Sequence, residues 1–410
     1  MIEIDPERLL KDLSTLRSFG AVGNGVVRTA FSDIDMASRR WLAEQLANAD
    51  LKASVDGVGN VIATTEECSR SLLIGSHSDT QPTGGWLDGA LGVIYGLEIA
   101  RSYTEAGRLP GIGIDVVSWM DEEGTYFSSL GSRSFCGEFT DAELFELPSV
   151  QGGSIGDLLQ RVGLGETSRS ILDHDRYLGY LEAHIEQGPF LEKTGHRIGV
   201  VTSIVGVRDF VIRFHGSQNH AGTTPMNLRR DAGMAAVRTI HGLDRMLAAT
   251  ARDKTVWTFG EIRLHPGAAS IVPGEAQVHL QVRDSDEGFL DLVTRQVEAH
   301  VEDFGRSSEV GLELESLQDA VRAVEMDDRM QGYCAHAAEV LVPGEWMRMQ
   351  SGAAHDAQIL ASKMASGMIF VPSIGGVSHD FNEDTGADDI VLGCQVMAAA
   401  VGAILQDAAK

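Results

Sequence analysis

What most constrains this chain is an alternation of short buried strands and amphipathic helices that breaks off near Val207 and resumes after Ala320. "NVIATT" and "SLLIGS" read as buried strands, "DGALGVIYGLEIARSYTEAG" as a helix stopped by glycine, and "GIGIDVVSWM" as a further strand. Before them, "FSDIDMASRRWLAEQLANADL" has apolar residues at helical spacing after Ser32, a good N-cap. This alternation predicts an α/β fold: a mixed, mostly parallel sheet with helices on both faces. From Val207 the order is β-α-β-β-α-β, through "VGVRDFVIRFHG", "DAGMAAVRTIHGLDRMLAAT", "TVWTFGEIRLH", "EAQVHLQVRD", "FLDLVTRQVEAHVEDFG" and "EVGLELES". That order predicts an α+β ferredoxin-like module of ~110 residues. The expected organisation is a discontinuous domain, 1–206 with 321–410, into which a small domain, 207–320, is inserted, with hinges near Gly206 and Ala320.

Charge narrows the partners. In 410 residues there are 33 Lys and Arg against 59 Asp and Glu, a net charge of −26. Such a chain repels phosphate backbones and anionic bilayers, so neither nucleic acid nor a membrane is an expected partner. The start, "MIEIDPERLLKDLSTLR", is acidic and amphipathic, and no run approaches the ~18 apolar residues of a membrane span; the expectation is a cytoplasmic protein. Cys68, Cys136, Cys334 and Cys394 are far apart and form no CxxC, which predicts reduced, buried thiols and neither a disulfide framework nor a thiolate zinc site.

Chemistry-bearing side chains gather where strands end. His77 and Asp79 follow "LLIGS", Asp88 opens the next helix after "TGG", Glu122 and Glu123 close "VVSWMDEEG", His184 lies in "YLEAHIEQG", and His379 lies in "VPSIGGVSHDFNE". In open α/β sheets, ligands bind outside the carboxyl ends of the strands. Taken singly each residue has an ordinary reading: Asp88 as a helix cap, "DEEG" as a solvated turn, each His as a satisfied polar residue. Together, so many carboxylates and imidazoles at one sheet edge would be costly unless they shared cations.

The motifs "HSD", "GGWLDGALGV", "DEEG", "HIEQGP", "HAGTTPM", "SGAAHDA" and "GGVSHDFNED" resemble, in this order, those of the binuclear-metal amidohydrolases of the N-carbamoyl-L-amino-acid hydrolase, allantoate amidohydrolase and β-ureidopropionase group. That group belongs to the aminoacylase and glutamate-carboxypeptidase-like metallopeptidase superfamily. "NGVVRTAFSDIDMASRRWLAEQL" and "GSRSFCG" are also similar, so the resemblance covers nearly the whole chain. "HIEQGP" is the most specific element, because peptidase branches generally have an acidic ligand where this branch has His.

The resemblance implies a metal-dependent exopeptidase-like fold whose inserted domain serves as lid and dimerisation module. It implies two divalent cations per subunit, zinc or manganese, with cobalt or nickel as the other candidates. Asp88 would bridge them, His77 and His184 would hold one, and Glu123 and His379 the other; Glu122 matches the general base, and Asp79 the carboxylate that orients a ligand His. His220 matches a histidine thought to reach a partner subunit's active site and stabilise an oxyanion, Arg283 an arginine on the substrate carboxylate, and Gln187 a ureido contact; His355 is a substrate-side or structural residue. Two positions depart from the group: Ser270 stands before "IVPG" where Asn is common, and Ala354 replaces a glycine in "SGAAHDA".

The implied reaction is hydrolysis of the carbamoyl C–N bond of an N-carbamoyl-L-amino acid or related ureido acid, a small-molecule substrate, by metal-activated water in a homodimer formed through the inserted domain. The alternative on the same residues is an N-acyl-amino-acid deacylase or dipeptidase. "GGSIG" fits the nucleophile-elbow pattern around Ser154, but no buried strand precedes it, and Ser154 with Asp157 is better read as a capping box. "GAVGNG" is expected to be a turn rather than a nucleotide loop. A catalytically dead scaffold would need to have lost a ligand or the base, and all are present.

Overall fold

The computed structural model describes residues 2–316 and 322–410. The chain divides into two compact units, Met1–Ser203 with Glu325–Lys410, and Ile204–Val324. The expected boundary at 320/321 and the hinge near Ala320 lie outside the described residues.

The larger unit is built on a nine-stranded mixed sheet. Its centre is parallel: Ser366–Val371, Tyr177–Ile185, Arg70–His77 and Ile112–Trp119 lie side by side in that order. The flanks are antiparallel, with Ile198–Ile204 beside Ser366–Val371, and Val61–Thr64 then Lys52–Val55 beyond Ile112–Trp119. Alternation along Tyr177–Ile185 separates the two faces. Leu181, Ala183 and Ile185 enter the core shared with the helix Ala90–Glu105. Between them, Tyr180 accepts from the indole N–H of Trp119 at 3.1 Å, and Glu182 accepts from the Ala357 N–H at 2.8 Å, at the start of the helix Asp356–Ala361.

Local signals read from the sequence reappear. Ser32 caps the helix Asp33–Asn48 by accepting from the Asp35 N–H, and Ser154 forms a capping box with Asp157 at the head of Ile155–Arg161. "GAVGNG" contains the turn of a small hairpin, Ala21–Val22 with Gly25–Val26. All four cysteines are free, and Cys136, Cys334 and Cys394 are buried as expected; Cys68, just before Arg70–His77, is instead half-buried. One sequence expectation is corrected. The last helix, Ala387–Ala408, is long and apolar enough by length and composition to cross a membrane. Most of it is instead buried inside the unit, where it packs on Ser366–Val371 and on the helix Asp328–Leu341.

The smaller unit has the β-α-β-β-α-β order. Its four-stranded antiparallel sheet runs Val256–His265, Glu275–Asp284, Gly206–His215, Gly311–Ser316. The helices Ala232–Thr250 and Glu287–Ser307 bury Leu243, Leu247, Val293 and Val297 against Phe210, Ile212, Phe214, Val278 and Leu280 of that sheet.

Candidate metal centre

The parallel centre of the large sheet sets the carboxyl ends of its strands along one edge. His77 is the last residue of its strand and pairs with Trp119, the last of the neighbouring one. Glu122 and Glu123 follow on the loop beyond Trp119; His184, one residue from the end of Tyr177–Ile185, pairs with Phe370. His379 lies on the loop after Ser366–Val371. Three residues around this edge, Asp121, Gln187 and His379, hold left-handed backbone angles (φ +59°, +57° and +54°), a cost in non-glycine residues that the surroundings must enforce.

Asp88 is not a helix cap. The N-cap of Ala90–Glu105 is Gly89, at φ +64°, with no side-chain capping bond. Asp88 is released to the cluster, and its two oxygens face different partners. Oδ1 lies 3.1 Å from His184 Nε2 and 3.5 Å from His77 Nε2; Oδ2 lies 3.3 Å from His379 Nε2. Glu123 Oε2 is 3.8 Å from His379 Nε2, and Glu122 Oε2 is 3.6 Å from His77 Nε2. Two triads result, His77–Asp88–His184 and Asp88–Glu123–His379, and within each the potential ligand atoms lie inside 4.8 Å of one another.

The donor chemistry fits divalent cations. His77 Nδ1 is 3.0 Å from the Asp79 carbonyl, and His184 Nδ1 is 2.9 Å from the Ile185 carbonyl. A carbonyl can only accept, so each Nδ1 carries a hydrogen and each Nε2 is left to face Asp88, with His184 Nε2 also accepting the Gly89 N–H at 3.0 Å. Those contacts with a carboxylate are favourable with a proton or a divalent cation on Nε2, and unfavourable with neither. The titration directions tell the same story. Burial drives Glu122 well above the usual carboxylate range against the pull of His77, and burial with Asp88 lifts Glu123 to about 7. Burial lowers His77, but Glu122 and Asp88 outweigh it and hold it well above its ordinary value. Asp88 is raised by burial yet pulled well below the usual range by three imidazoles. Nitrogen and carboxylate donors without thiolate suit zinc, manganese, cobalt or nickel.

The surrounding shell is built from buried charge. The Asp79 carboxylate stands 3.8 Å from His77 Nδ1, so the close contact to that ring is made by the Asp79 main chain instead. The carboxylate accepts the Glu123 N–H at 3.3 Å and faces Arg39 at 3.6 Å. Arg39, fully buried, grips Asp35 through Nε and donates to the carbonyls of Gly59, Ser118 and Trp119. Arg28, also fully buried and pushed down to about 10 by burial, donates to the Ser78 carbonyl at 2.7 Å. Together the two guanidinium groups pin the loops that carry His77 and Glu122–Glu123. Gln187 donates to Asp88 Oδ2 at 3.0 Å, while its buried Oε1 has no hydrogen-bond partner among the described residues. His355 packs edge-on against the His184 ring, centroids 4.6 Å apart, with Nε2 2.9 Å from Ser351 Oγ; burial followed by His184 holds it well below its usual value, hence neutral.

Three expected site residues belong to the smaller unit. His220 is exposed and its Nδ1 accepts from the Gly222 and Thr223 N–H groups, leaving the proton on Nε2. Arg283 lies in Glu275–Asp284 with Nε donating to Gln281 Oε1 at 2.8 Å. Ser270 is exposed and its carbonyl accepts the Ala221 N–H. Sequence reading gave no role to Arg39, Gln81, which donates to Glu123 Oε2 at 2.8 Å, or Glu383, whose carboxylate accepts the Asp88 N–H at 3.1 Å. The available signal was weak: Arg39 and Glu383 are charged residues inside quoted stretches, and Gln81 sits in the polar turn between "HSD" and "GGWLDGALGV".

Residues 73–403 match the model of peptidase family M20/M25/M40. The N-carbamoyl-L-amino-acid amidohydrolase of Paenarthrobacter aurescens is 34% identical, over 95% of this chain and 96% of that protein. The allantoate amidohydrolase of Escherichia coli K12 is 32% identical, over 94% of this chain and 95% of its own length. Among solved structures, an amidase of the hydantoinase/carbamoylase family from Burkholderia phymatum is 50% identical and superposes with a TM-score of 0.91, with all of both chains covered. A two-triad cluster at the carboxyl edge of a mixed sheet, and relatives matched along almost their whole length, establish that this chain belongs to the M20/M25/M40 peptidase family.

Proposed function

We propose that the chain hydrolyses the carbamoyl C–N bond of an N-carbamoyl-L-amino acid or a related ureido acid. The observation that carries this reading is the Asp88 carboxylate, with one oxygen toward each triad. The names of the relatives favour a ureido substrate over an N-acyl one. His77 and His184 would hold one divalent cation, Glu123 and His379 a second, with Asp88 between them; zinc or manganese is proposed for both. When bound, such a pair supplies Lewis acidity and makes water a nucleophile near neutral pH.

The chain's own residues do the rest. Glu122, buried beside His77, takes the proton of the attacking water and returns it to the departing nitrogen. Water adds to the ureido carbon, the C–N bond to the amino-acid nitrogen breaks, and the carbamate released falls apart to CO2 and ammonia. Gln187 Oε1, buried without a partner, suits a ureido N–H, which would supply its missing donor. His355 and Asp79 hold the ring orientations of His184 and His77 through packing and through the main chain. In the smaller unit, Arg283 suits a bidentate grip on a substrate carboxylate, and the Ser270 hydroxyl, at the other end of the strand Glu275–Asp284, suits a separate polar contact to substrate. His220, with its proton on Nε2, suits donation to the oxyanion of a partner subunit.

That last assignment entails a homodimer through the inserted unit. In support, Val256–His265 is an edge strand with Ile262 53% exposed, and the helix Ala232–Thr250 leaves Val237 56% exposed. A cytoplasmic location is part of the proposal, supported by the free cysteines. The test is a screen of metal-loaded enzyme on matched N-carbamoyl and N-acyl amino acids. Ammonia release from the former is expected; turnover confined to N-acyl compounds, with release of the carboxylic acid, would overturn the ureido reading.

A further inference from the structure

We infer that Glu383 is a positioning residue that locks the His379 loop onto the Asp88 loop and thereby sets the affinity of one of the two cations, that of the Asp88–Glu123–His379 triad. The inference rests on the two-cation reading above.

His379 is the weak member of the cluster. Its side chain is 49% exposed, whereas those of His77 and His184 are buried, and it sits in left-handed backbone on a loop rather than on a strand. Something must hold it against Asp88. Four residues on, the Glu383 side chain turns inward and is buried. Its Oε1 accepts the main-chain N–H of Asp88 at 3.1 Å and of Leu87 at 3.4 Å, and its Oε2 accepts the hydroxyl of Ser378, the residue before His379, at 2.9 Å. One carboxylate therefore bonds to the main chain of the bridging aspartate and to the neighbour of the histidine. The Glu383 N–H donates to the Asp380 carbonyl at 3.1 Å, which closes the His379 loop on itself.

Gly85 shows how closely the two loops are fitted. A Cβ there would lie 1.8 Å from Glu383 Oε1 and 2.6 Å from Glu383 Cβ. The second glycine of "TGGWLDG" is the space into which this carboxylate fits. His77 and His184 have no such dependence, since their rings are fixed by the carbonyls of Asp79 and Ile185 at the strand ends. Asp88 serves both triads but only one also depends on the His379 loop, so loss of Glu383 should weaken the Asp88–Glu123–His379 triad more than the other.

The experiment titrates the metal-stripped full-length chain with Co2+, followed by d–d absorbance and equilibrium dialysis. Wild type is expected to take two equivalents. Glu383→Ala should keep the first and weaken the second about 10–100-fold, the usual effect of removing an outer partner of a metal site. Its kcat at limiting Co2+ should fall with occupancy and recover in excess Co2+, which a merely structural lesion would not do. Glu383→Gln, which keeps an oxygen for the Asp88 N–H, should recover most of the second equivalent. Ser378→Ala, which removes one of the three bonds to Glu383 and the longer 3.4 Å contact of the same hydroxyl with Asp88 Oδ2, should show a smaller loss at the same equivalent and serves if Glu383→Ala does not fold. Equal weakening of both equivalents, or a folded Glu383→Ala or Ser378→Ala with an unchanged second equivalent, overturns the inference. A wild-type chain that takes up no Co2+ instead removes the two-cation reading itself, and this inference with it.

Discussion

Replacing Arg39 by leucine tests whether the buried guanidinium holds the metal-bearing loops. Arg39 and Asp35 are both fully buried, with Arg39 Nε at 2.9 and 3.1 Å from the two Asp35 oxygens. Leucine would fill part of the space but leave Asp35 with only the Phe31 N–H at 2.9 Å among its described hydrogen-bond donors, and take from Asp79 the guanidinium that faces it at 3.6 Å. It would also strip the Gly59, Ser118 and Trp119 carbonyls of their donors at 3.2, 3.2 and 3.0 Å. Breaking one side of a buried ion pair costs about 3–5 kcal/mol. The stripped carbonyls fall within that figure rather than adding to it, because contacts in one network are not additive. For a unit of this size that is a fall in Tm of roughly 5–8 °C. The assay is thermal unfolding followed by near-UV circular dichroism, which reports on Trp119, itself buried and bonded through its carbonyl to Arg39. Arg39→Lys, which keeps charge but loses the fork, should fall between leucine and wild type. A leucine variant within about 1 kcal/mol of wild type would refute the reasoning, since it would mean Asp35 and Asp79 need no counter-charge.

Glu122→Gln should bind metal as wild type does and lose about 10²–10⁴-fold in kcat, read by ammonia release; a near-normal kcat would reject the base assignment. Gly89→Ala should abolish tight metal binding in dialysis, because the residue sits at φ +64° and a Cβ would lie 2.4 Å from the His77 ring. Leu264→Arg on the exposed edge strand Val256–His265 should give a monomer by light scattering, with activity reduced if His220 serves a partner; an unchanged dimer would remove that edge from the interface.

How much of this was legible in the sequence depended on whether a feature is local. The strand ends carrying His77, Glu122 and His184 follow from apolar runs that stop at charged residues, and Ser32 and Ser154 follow from capping spacing. Asp88 was misleading when read alone, since an aspartate just before a helix looks like a cap. Only the left-handed Gly89 after it, invisible in a composition pattern, frees its carboxylate. Asp79 was legible as a neighbour of His77, but the atom that meets the ring is its main-chain oxygen, which no side-chain pattern encodes. Arg39 and Glu383 act across gaps of 79 and 295 residues, on the Ser118 carbonyl and the Asp88 N–H. Contacts of that separation leave no periodic trace. The last helix was underestimated because its apolar content is spread round the whole cylinder and broken by Asp388, Asp389 and Gln395 near its first turns, although it is a core helix.

The order of strands has a consequence for biosynthesis. Ser366–Val371 lies between Tyr177–Ile185 and Ile198–Ile204, two strands made far earlier. While the ribosome is still producing the segment Ile204–Val324, those two strands face an empty slot, with unpaired backbone edges on either side of it. The smaller unit draws its sheet and both helices from that one continuous segment and can close while the larger one waits. His379 arrives later still, so a nascent chain has His77, Asp88, Glu123 and His184 before it has a complete pair of triads.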